Sequence, residues 1–226
     1  NNGIGQWTLE DFRNALTQGV SPQGEHYYPV FPYTSFSAMS AADSEDLWRY
    51  LKSVQAFKTV NRKHQIKFPF SLSLAPRLWK MAFFRFKPFE FNPEKSLRWN
   101  RGIYLVQVLG HCQECHSPRN FMGALSKKAA YSGAKHPTDN GYIPNITPDP
   151  TSGIGHWDED DISWFLETGF LPDGDIASGV MAEIVETATS QLTTGDRQAI
   201  ATFLKSLRPI KNPSLERETE NAEENW

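Results

Sequence analysis

The sequence predicts a mainly α-helical chain built from two copies of one module, and three observations carry that reading. The first is an internal repeat. Gly3-Ile4-Gly5-Gln6-Trp7 returns as Gly153-Ile154-Gly155-His156-Trp157, and at the same offset of 150 Leu16, Gly19, Pro22 and Gly24 meet Leu166, Gly169, Pro172 and Gly174. So many Gly, Pro and Trp residues kept in register mark a duplicated unit. The second is apolar spacing of 3–4 residues: Leu47, Tyr50, Leu51 and Val54 in one copy, Ile200, Phe203, Leu204 and Leu207 in the other. The third is the lack of any convincing stretch of strand-like alternation.

Each copy opens with a short helix. Thr8 is placed to cap the first, with Asp11 three residues on, and Asp158 stands likewise before Asp161. Gly19 and Gly169 then end these helices, since glycine tolerates the left-handed turn that satisfies the last carbonyls. Each copy closes with a longer helix, capped by Ser40 and by Thr193. The second copy has an added front end, 101–110, read as a helix in which Gly102 permits close approach of another backbone. Its expected partner is the terminal helix, through Phe203 and Leu204. Between the copies, Thr59 to Asn100 is rich in Phe, Pro, Lys and Arg. Pro76 opens a short helix over 77–84 with Leu78, Met81 and Ala82 on one side. That face is expected to pack between domains rather than to dock a partner. The tail from Asn212 is polar and acidic and reads as disordered or as a linker.

Composition narrows the function. A net charge of −3 gives no broad basic field, which argues against nucleic acid as a partner. The 13% aromatic content, with seven Trp and fifteen Phe, is enough to line apolar cofactor pockets. No run approaches the roughly 18 apolar residues of a membrane span; the richest, Leu78 to Phe86, is broken by Lys80 and Arg85.

Both cysteines lie in Cys112-Gln113-Glu114-Cys115-His116. This is the spacing of c-type haem attachment: residues three apart on a helical turn share a face, so both thiols reach the two vinyl groups of one porphyrin and His116 supplies an axial nitrogen. A closed zinc site would need four nitrogen or sulfur ligands, and no second pair at ligand spacing follows. A redox dithiol would sit in a βαβ pattern, which is missing. A disulfide would enclose too few residues. For the sixth position of the iron, Met181 in Gly179-Val180-Met181 is the candidate, lying between the helix ending at Gly169 and the last helix. A thioether there raises the potential and closes the iron to substrate.

The stretches 100–105, 110–112, 115–120, 142–147, 153–157 and 179–181 together resemble two-domain di-haem cytochromes c, similar to the cytochrome subunits of periplasmic alcohol, gluconate and molybdenum-hydroxylase dehydrogenases. The resemblance runs from Gly3 to about Ile210. It implies two class I cytochrome c-like domains in tandem, the first truncated at its N-terminus: 1–58 as the C-terminal part of the first domain, 59–98 as an interdomain linker, 99–211 as a complete haem domain and 212–226 as an acidic tail. It also implies that Cys112 and Cys115 hold haem, that His116 and Met181 ligate iron, and that the Pro118 carbonyl accepts the His116 ring proton. Arg119, Tyr142, Asn145 and Trp157 are implied as haem propionate contacts. The first copy departs from the pattern. It has no Cys-x-x-Cys-His, and Phe31 stands where the second copy has Met181. Some relatives use a later Met, which makes Met39 the candidate ligand of a first-domain haem, with His26 the weaker substitute. Truncation is the preferred account over a haemless pseudo-domain.

The expected function is single-electron relay from a periplasmic dehydrogenase towards a cytochrome or oxidase, with no catalysis by this chain itself and an extracytoplasmic location. One haem c is expected from the motif, and a second is possible. The alternative is a di-haem oxidoreductase acting directly on thiosulfate or peroxide.

Overall fold

The computed structural model describes residues 3–60, 62, 64–136 and 141–212. The chain divides into two compact units, Asn1–Glu90 and Phe91–Trp226. Both are helical, and the helices of the described residues are α1 (Leu9–Gln18), α2 (Tyr33–Phe36), α3 (Ala41–Ser53), α4 (Ala75–Phe83), α5 (Leu97–Tyr104), α6 (Gln113–His116), α7 (Glu159–Thr168), α8 (Gly179–Thr187) and α9 (Thr194–Lys205). Two-residue strands β1 (Ala134–Lys135) and β2 (Tyr142–Ile143) pair antiparallel, Ala134 with Ile143 and Lys135 with Tyr142. Strands this short cannot express a period of two, so the pattern left them unseen.

The repeat is reproduced in the caps and turns of the two copies. Thr8 and Asp11 form a reciprocal capping box on α1, and Asp158 and Asp161 form the same box on α7. Gly19 (φ 61°) and Gly169 (φ 80°) end these helices in the left-handed region. After each, a tight loop closes with an isolated bridge, Val20 to His26 and Phe170 to Ile176. Ser40 and Thr193 cap α3 and α9 by accepting from Asp43 and Asp196 backbone N–H groups. At the far end of the same helices, Lys52 Nζ donates to the Gly5 carbonyl, and Lys205 Nζ to those of Ile154, Gly155 and Trp157. In both units a lysine from the closing helix ties down the Gly-Ile-Gly-x-Trp loop.

In the first unit, α1 buries Phe12, Ala15 and Leu16. Trp48 of α3 packs on Phe12 at 5.2 Å, and Arg13 Nε donates to Ser44 Oγ at 3.1 Å. Tyr33 is fully buried against Gly19, where a Cβ would lie 2.6 Å from Tyr33 Cγ. The stretch read as an interdomain linker contributes to this unit: Lys80 of α4 donates to the Gln18 carbonyl at the end of α1 and to the Gly19 carbonyl, which also accepts from Tyr27 N–H, and stands 4.8 Å over the Tyr33 ring. Burial pushes its ammonium down to about 8. α4 begins two residues earlier than expected, with Pro76 in its first turn. Within this unit Lys80 carries the contacts of α4 to α1, and Leu78 and Met81, on another side of the helix, are 54% and 66% exposed. The expected apolar stripe of α3 is also open, Tyr50 being 66% exposed.

The second unit has a dense core of Leu105, Val106, Tyr131, Ile154, Ile162, Leu166 and the inner face of α9. Each such side chain stabilises the fold by roughly 1.5–3 kcal/mol. The expected partnership of the front helix with α9 through Phe203 and Leu204 is present: Trp99 rests on Phe203 at 5.5 Å and donates to Ser206 Oγ. The crossing is close because of Gly102, where a Cβ would lie 2.9 Å from Phe203 Cβ. Arg101 clamps Asp196 bidentately, at 2.7 and 2.9 Å.

That clamp gives a pH signature. The Arg101 hydrogen bonds hold the Asp196 carboxyl below its ordinary value against the opposing effect of burial. A carboxylate depressed in the folded state stabilises above its unfolded pKa of about 3.9, and the gain is lost as pH falls through the folded value. Asp196→Asn therefore lowers the denaturant midpoint above about pH 4 and converges on wild type below it. The difference stays under roughly 1 kcal/mol because Arg101 is solvent-screened. Parallel curves from pH 6 to 2 would exclude the clamp as the cause.

Candidate haem-attachment site

The attachment motif is set at a break in a helix. Ser96 Oγ accepts from Trp99 N–H and starts α5. The expected single helix over 101–110 is instead α5 followed by a π-helical turn, Leu105–Leu109. Such insertions occur mostly where function requires a redirected backbone. Gly110 N–H reaches back to the Leu105 carbonyl and Cys112 N–H to that of Val106. His111 adopts a positive φ of 37°, and the chain restarts as α6. This places Cys112 and Cys115 three apart on one helical turn, with Cys112 against the core and Cys115 exposed. Burial pushes the Cys112 thiol up to about 11, so it is held neutral rather than as a thiolate.

His116 is fixed at two points. Its carbonyl accepts from Gly133 N–H at 2.9 Å, and its Nδ1 lies 2.8 Å from the Pro144 carbonyl oxygen. A carbonyl only accepts, so this contact puts the ring proton on Nδ1 and leaves the Nε2 lone pair for a metal. Pro118, the expected acceptor, is not used. Its carbonyl takes the Ser126 N–H in closing the 118–126 loop, whereas β2 delivers Pro144 to the ring. Burial nevertheless lowers the His116 pKa, with the Pro144 bond opposing it.

The other expected residues divide. Trp157 and Met181 pack against the same core cluster as Cys112. Trp157 meets Phe165 edge-on at 5.5 Å, and Met181 lies in the first turn of α8, after Gly179 at φ 56°. Tyr142 is half-buried in β2. Arg119 is engaged beside the motif, its Nη2 donating to both the carboxylate and the carbonyl of Glu114 and its Nη1 to the Gly123 carbonyl. Asn145 is a correction. Its Nδ2 donates to Ser152 Oγ and the Ile210 carbonyl, and its Oδ1 accepts from the Thr147 N–H and hydroxyl. With both donors and both acceptor positions used, it joins the loop to the C-terminal segment and has nothing to offer a propionate. In the first unit Met39 is half-buried between α2 and α3, Phe31 is 38% exposed, and His26 has a buried Nδ1 with no partner.

Sequence reasoning missed Tyr131, Ser117 and Lys205. Tyr131 is 3% exposed, has φ 65°, and donates its N–H to Ser117 Oγ. Its buried hydroxyl lies near Cys112 and Gln107, and burial holds it well above the ordinary phenol range. Nothing in the local sequence signals a tyrosine in the left-handed region. The Lys205 latch was accessible, since Lys52 holds the matching place in the first unit.

The residues fit a covalently held haem. Two thiols share a turn at an apolar cluster, an imidazole is held by its Nδ1 so that Nε2 can face a metal, and a thioether packs on the same cluster. Among the described residues no group of three or more His, Cys, Asp or Glu is assembled that could hold a metal ion by itself.

No protein-family model matches the chain. It is similar to a diheme c-type cytochrome of Cereibacter sphaeroides, 39% identical over 213 residues that cover 93% of this chain and 69% of that protein. It is similar also to the fructose dehydrogenase cytochrome subunit of Gluconobacter japonicus, 38% identical over 94% of this chain and 43% of the relative. The alcohol dehydrogenase (quinone) cytochrome c subunit of Gluconacetobacter polyoxogenes is 35% identical over 92% and 46%. The chain thus spans less than half of each dehydrogenase subunit. With 39% identity across more than two thirds of a whole relative, and with the attachment motif on one turn beside a poised histidine, the chain belongs to the family of c-type cytochromes that includes this diheme protein.

Proposed function

We propose that the chain relays single electrons between a dehydrogenase and a downstream cytochrome or oxidase, on the extracytoplasmic side. The observation that carries this is the His116 Nδ1 contact with the Pro144 carbonyl, which fixes the imidazole on the same helical turn as both thiols. A haem bound there supplies a one-electron Fe(III)/Fe(II) couple. The chain's residues do the rest: Cys112 and Cys115 tether the macrocycle, and Pro144 holds the His116 proton and strengthens Nε2 as a donor. Met181 would supply a thioether to the iron, and the Leu105, Val106 and Trp157 surfaces would exclude water. The dehydrogenase partner is inferred from relatives named as cytochrome subunits of fructose and alcohol dehydrogenases.

The finer architecture is part of the same proposal. Residues 99–211 form a complete class I cytochrome c-like domain and 1–58 the C-terminal part of a first one, whose α3 face would receive a helix of the α5 kind. Support comes from the matching caps, loops and lysine latches, and from the openness of Tyr50 where its counterpart Phe203 is 3% exposed. Met39 would then be the axial ligand of a first-domain haem. The native protein should give the pyridine haemochrome spectrum of a thioether-linked haem, and Cys112→Ser with Cys115→Ser should abolish covalent attachment at this motif. A native protein without covalent haem would end the proposal, and a single haem mass would end only its first-domain part.

A further inference from the structure

α8, the helix that carries Met181, is thinly held. Of its nine residues, Gly179–Thr187, only Val185 is buried, while Val180 and Ile184 are 61% and 37% exposed. A segment with so few buried apolar contacts opens locally at low cost unless something else retains it. The tether lies at its far end. Arg197 of α9 is buried, with 4% of its side chain exposed. Its Nη2 pairs with the Glu167 carboxylate in the last turn of α7 at 2.6 Å, and its Nη1 donates to the Ser190 and Leu192 carbonyls in the turn that follows α8. Ser190 passes the connection on, its hydroxyl donating to the Glu186 carbonyl in the last turn of α8 at 3.0 Å. One guanidinium thus joins α7 and α9 to the end of α8, a task that suits its planar fork of donors.

The two copies differ at this point. In the register that pairs Ser40 with Thr193 and Lys52 with Lys205, Ser44 of α3 stands where α9 has Arg197. In the register that pairs Leu16 with Leu166, Arg13 of α1 stands where α7 has Ser163. The arginine has changed helices. Arg13 is spent on α3, at the Ser44 hydroxyl, the Ala41 carbonyl and the Glu45 carboxylate. Arg197 reaches instead the turn behind the helix that bears Met181.

We propose that Arg197 is a positioning residue for Met181: held by Glu167 and Ser190, it keeps α8 seated and so sets how often the thioether swings away from the place where it meets the iron. The inference rests on the reading of Met181 as an axial ligand and adds the device that keeps it there. Removing a buried arginine from such a set leaves carbonyls and a carboxylate without their donor. The segment that loosens first is the one with least else to hold it.

The test is cyanide titration of the full-length haem-loaded ferric protein, with the sulfur-to-iron band recorded alongside. Cyanide binds only where the thioether has left, so its apparent affinity reports the open fraction. Arg197→Gln should tighten apparent cyanide binding by about tenfold or more, and Glu167→Gln, at a half-exposed carboxylate, by roughly threefold. Arg101→Gln, which removes the clamp between α5 and Asp196, should leave cyanide affinity as in wild type. Should Arg197→Gln fail to fold, Glu167→Gln decides. Wild-type protein that shows the band, with cyanide affinity unchanged in Glu167→Gln and in folded Arg197→Gln, overturns this inference and leaves Met181 as a ligand. Equal tightening in Arg101→Gln overturns it too, by assigning the effect to overall stability. Wild-type protein without the band overturns the Met181 reading and this inference together.

Discussion

Gly102→Val should abolish folding of the second unit, and Gly102→Ala should cost it more than about 3 kcal/mol. The reason is backbone contact rather than backbone freedom. A Cβ at residue 102 would stand 2.7 Å from the Ala199 carbonyl carbon, closer still to its oxygen, and 2.9 Å from Phe203 Cβ. None of these is the end of a flexible side chain, so relief requires α5 to move off α9. Separation would open the core around Val106, Ala201 and Phe203, whose exposures are 0%, 0% and 3%. It would also pull the π-helical turn, and so Cys112, from its seat. Denaturant unfolding followed by Soret absorbance and by far-ultraviolet circular dichroism checks both parts. An alanine variant within about 1 kcal/mol of wild type would show that the crossing is adjustable.

Met181→Leu should leave the protein folded while removing the weak sulfur-to-iron band at the red edge of the ferric spectrum. The reduction potential should fall by on the order of 0.2 V, since the axial ligand is the largest lever a protein has on haem potential. The ferric protein should also begin to bind cyanide and azide readily. Leucine conserves volume on a surface that packs against Cys112 and Trp157, so structural loss should stay under about 1.5 kcal/mol. An unchanged band and potential would remove Met181 from the coordination and make it a core filler.

What was legible in the sequence was local. Thr8 with Asp11, Asp158 with Asp161, and the glycines at 19 and 169 act over three or four residues, and the helix ends fell where these residues put them. Cys112, Cys115 and His116 were equally readable, because attachment chemistry requires them on one turn. Gly102 was identified as a point of close approach because a glycine within an apolar helix has few other purposes.

The parts that were misread all depend on partners distant in sequence. Pro118 and Pro144 are both prolines whose carbonyls can accept, and only the pairing of β1 with β2 decides which one meets His116. Asn145 had the right chemistry for a propionate, yet Ile210 and Ser152 consume its donors. The side of α4 that meets α1 was likewise hidden, because Lys80 reaches the Gln18 and Gly19 carbonyls across some sixty residues of chain. The sequence by itself therefore determined the helical class, the caps and the turn that carries Cys112, Cys115 and His116, all set by interactions within a few residues, and it displayed the repeat directly. Only the tertiary structure decided which carbonyl orients His116, which polar groups are already satisfied, and which apolar faces remain open, because each depends on backbone brought together from tens of residues apart.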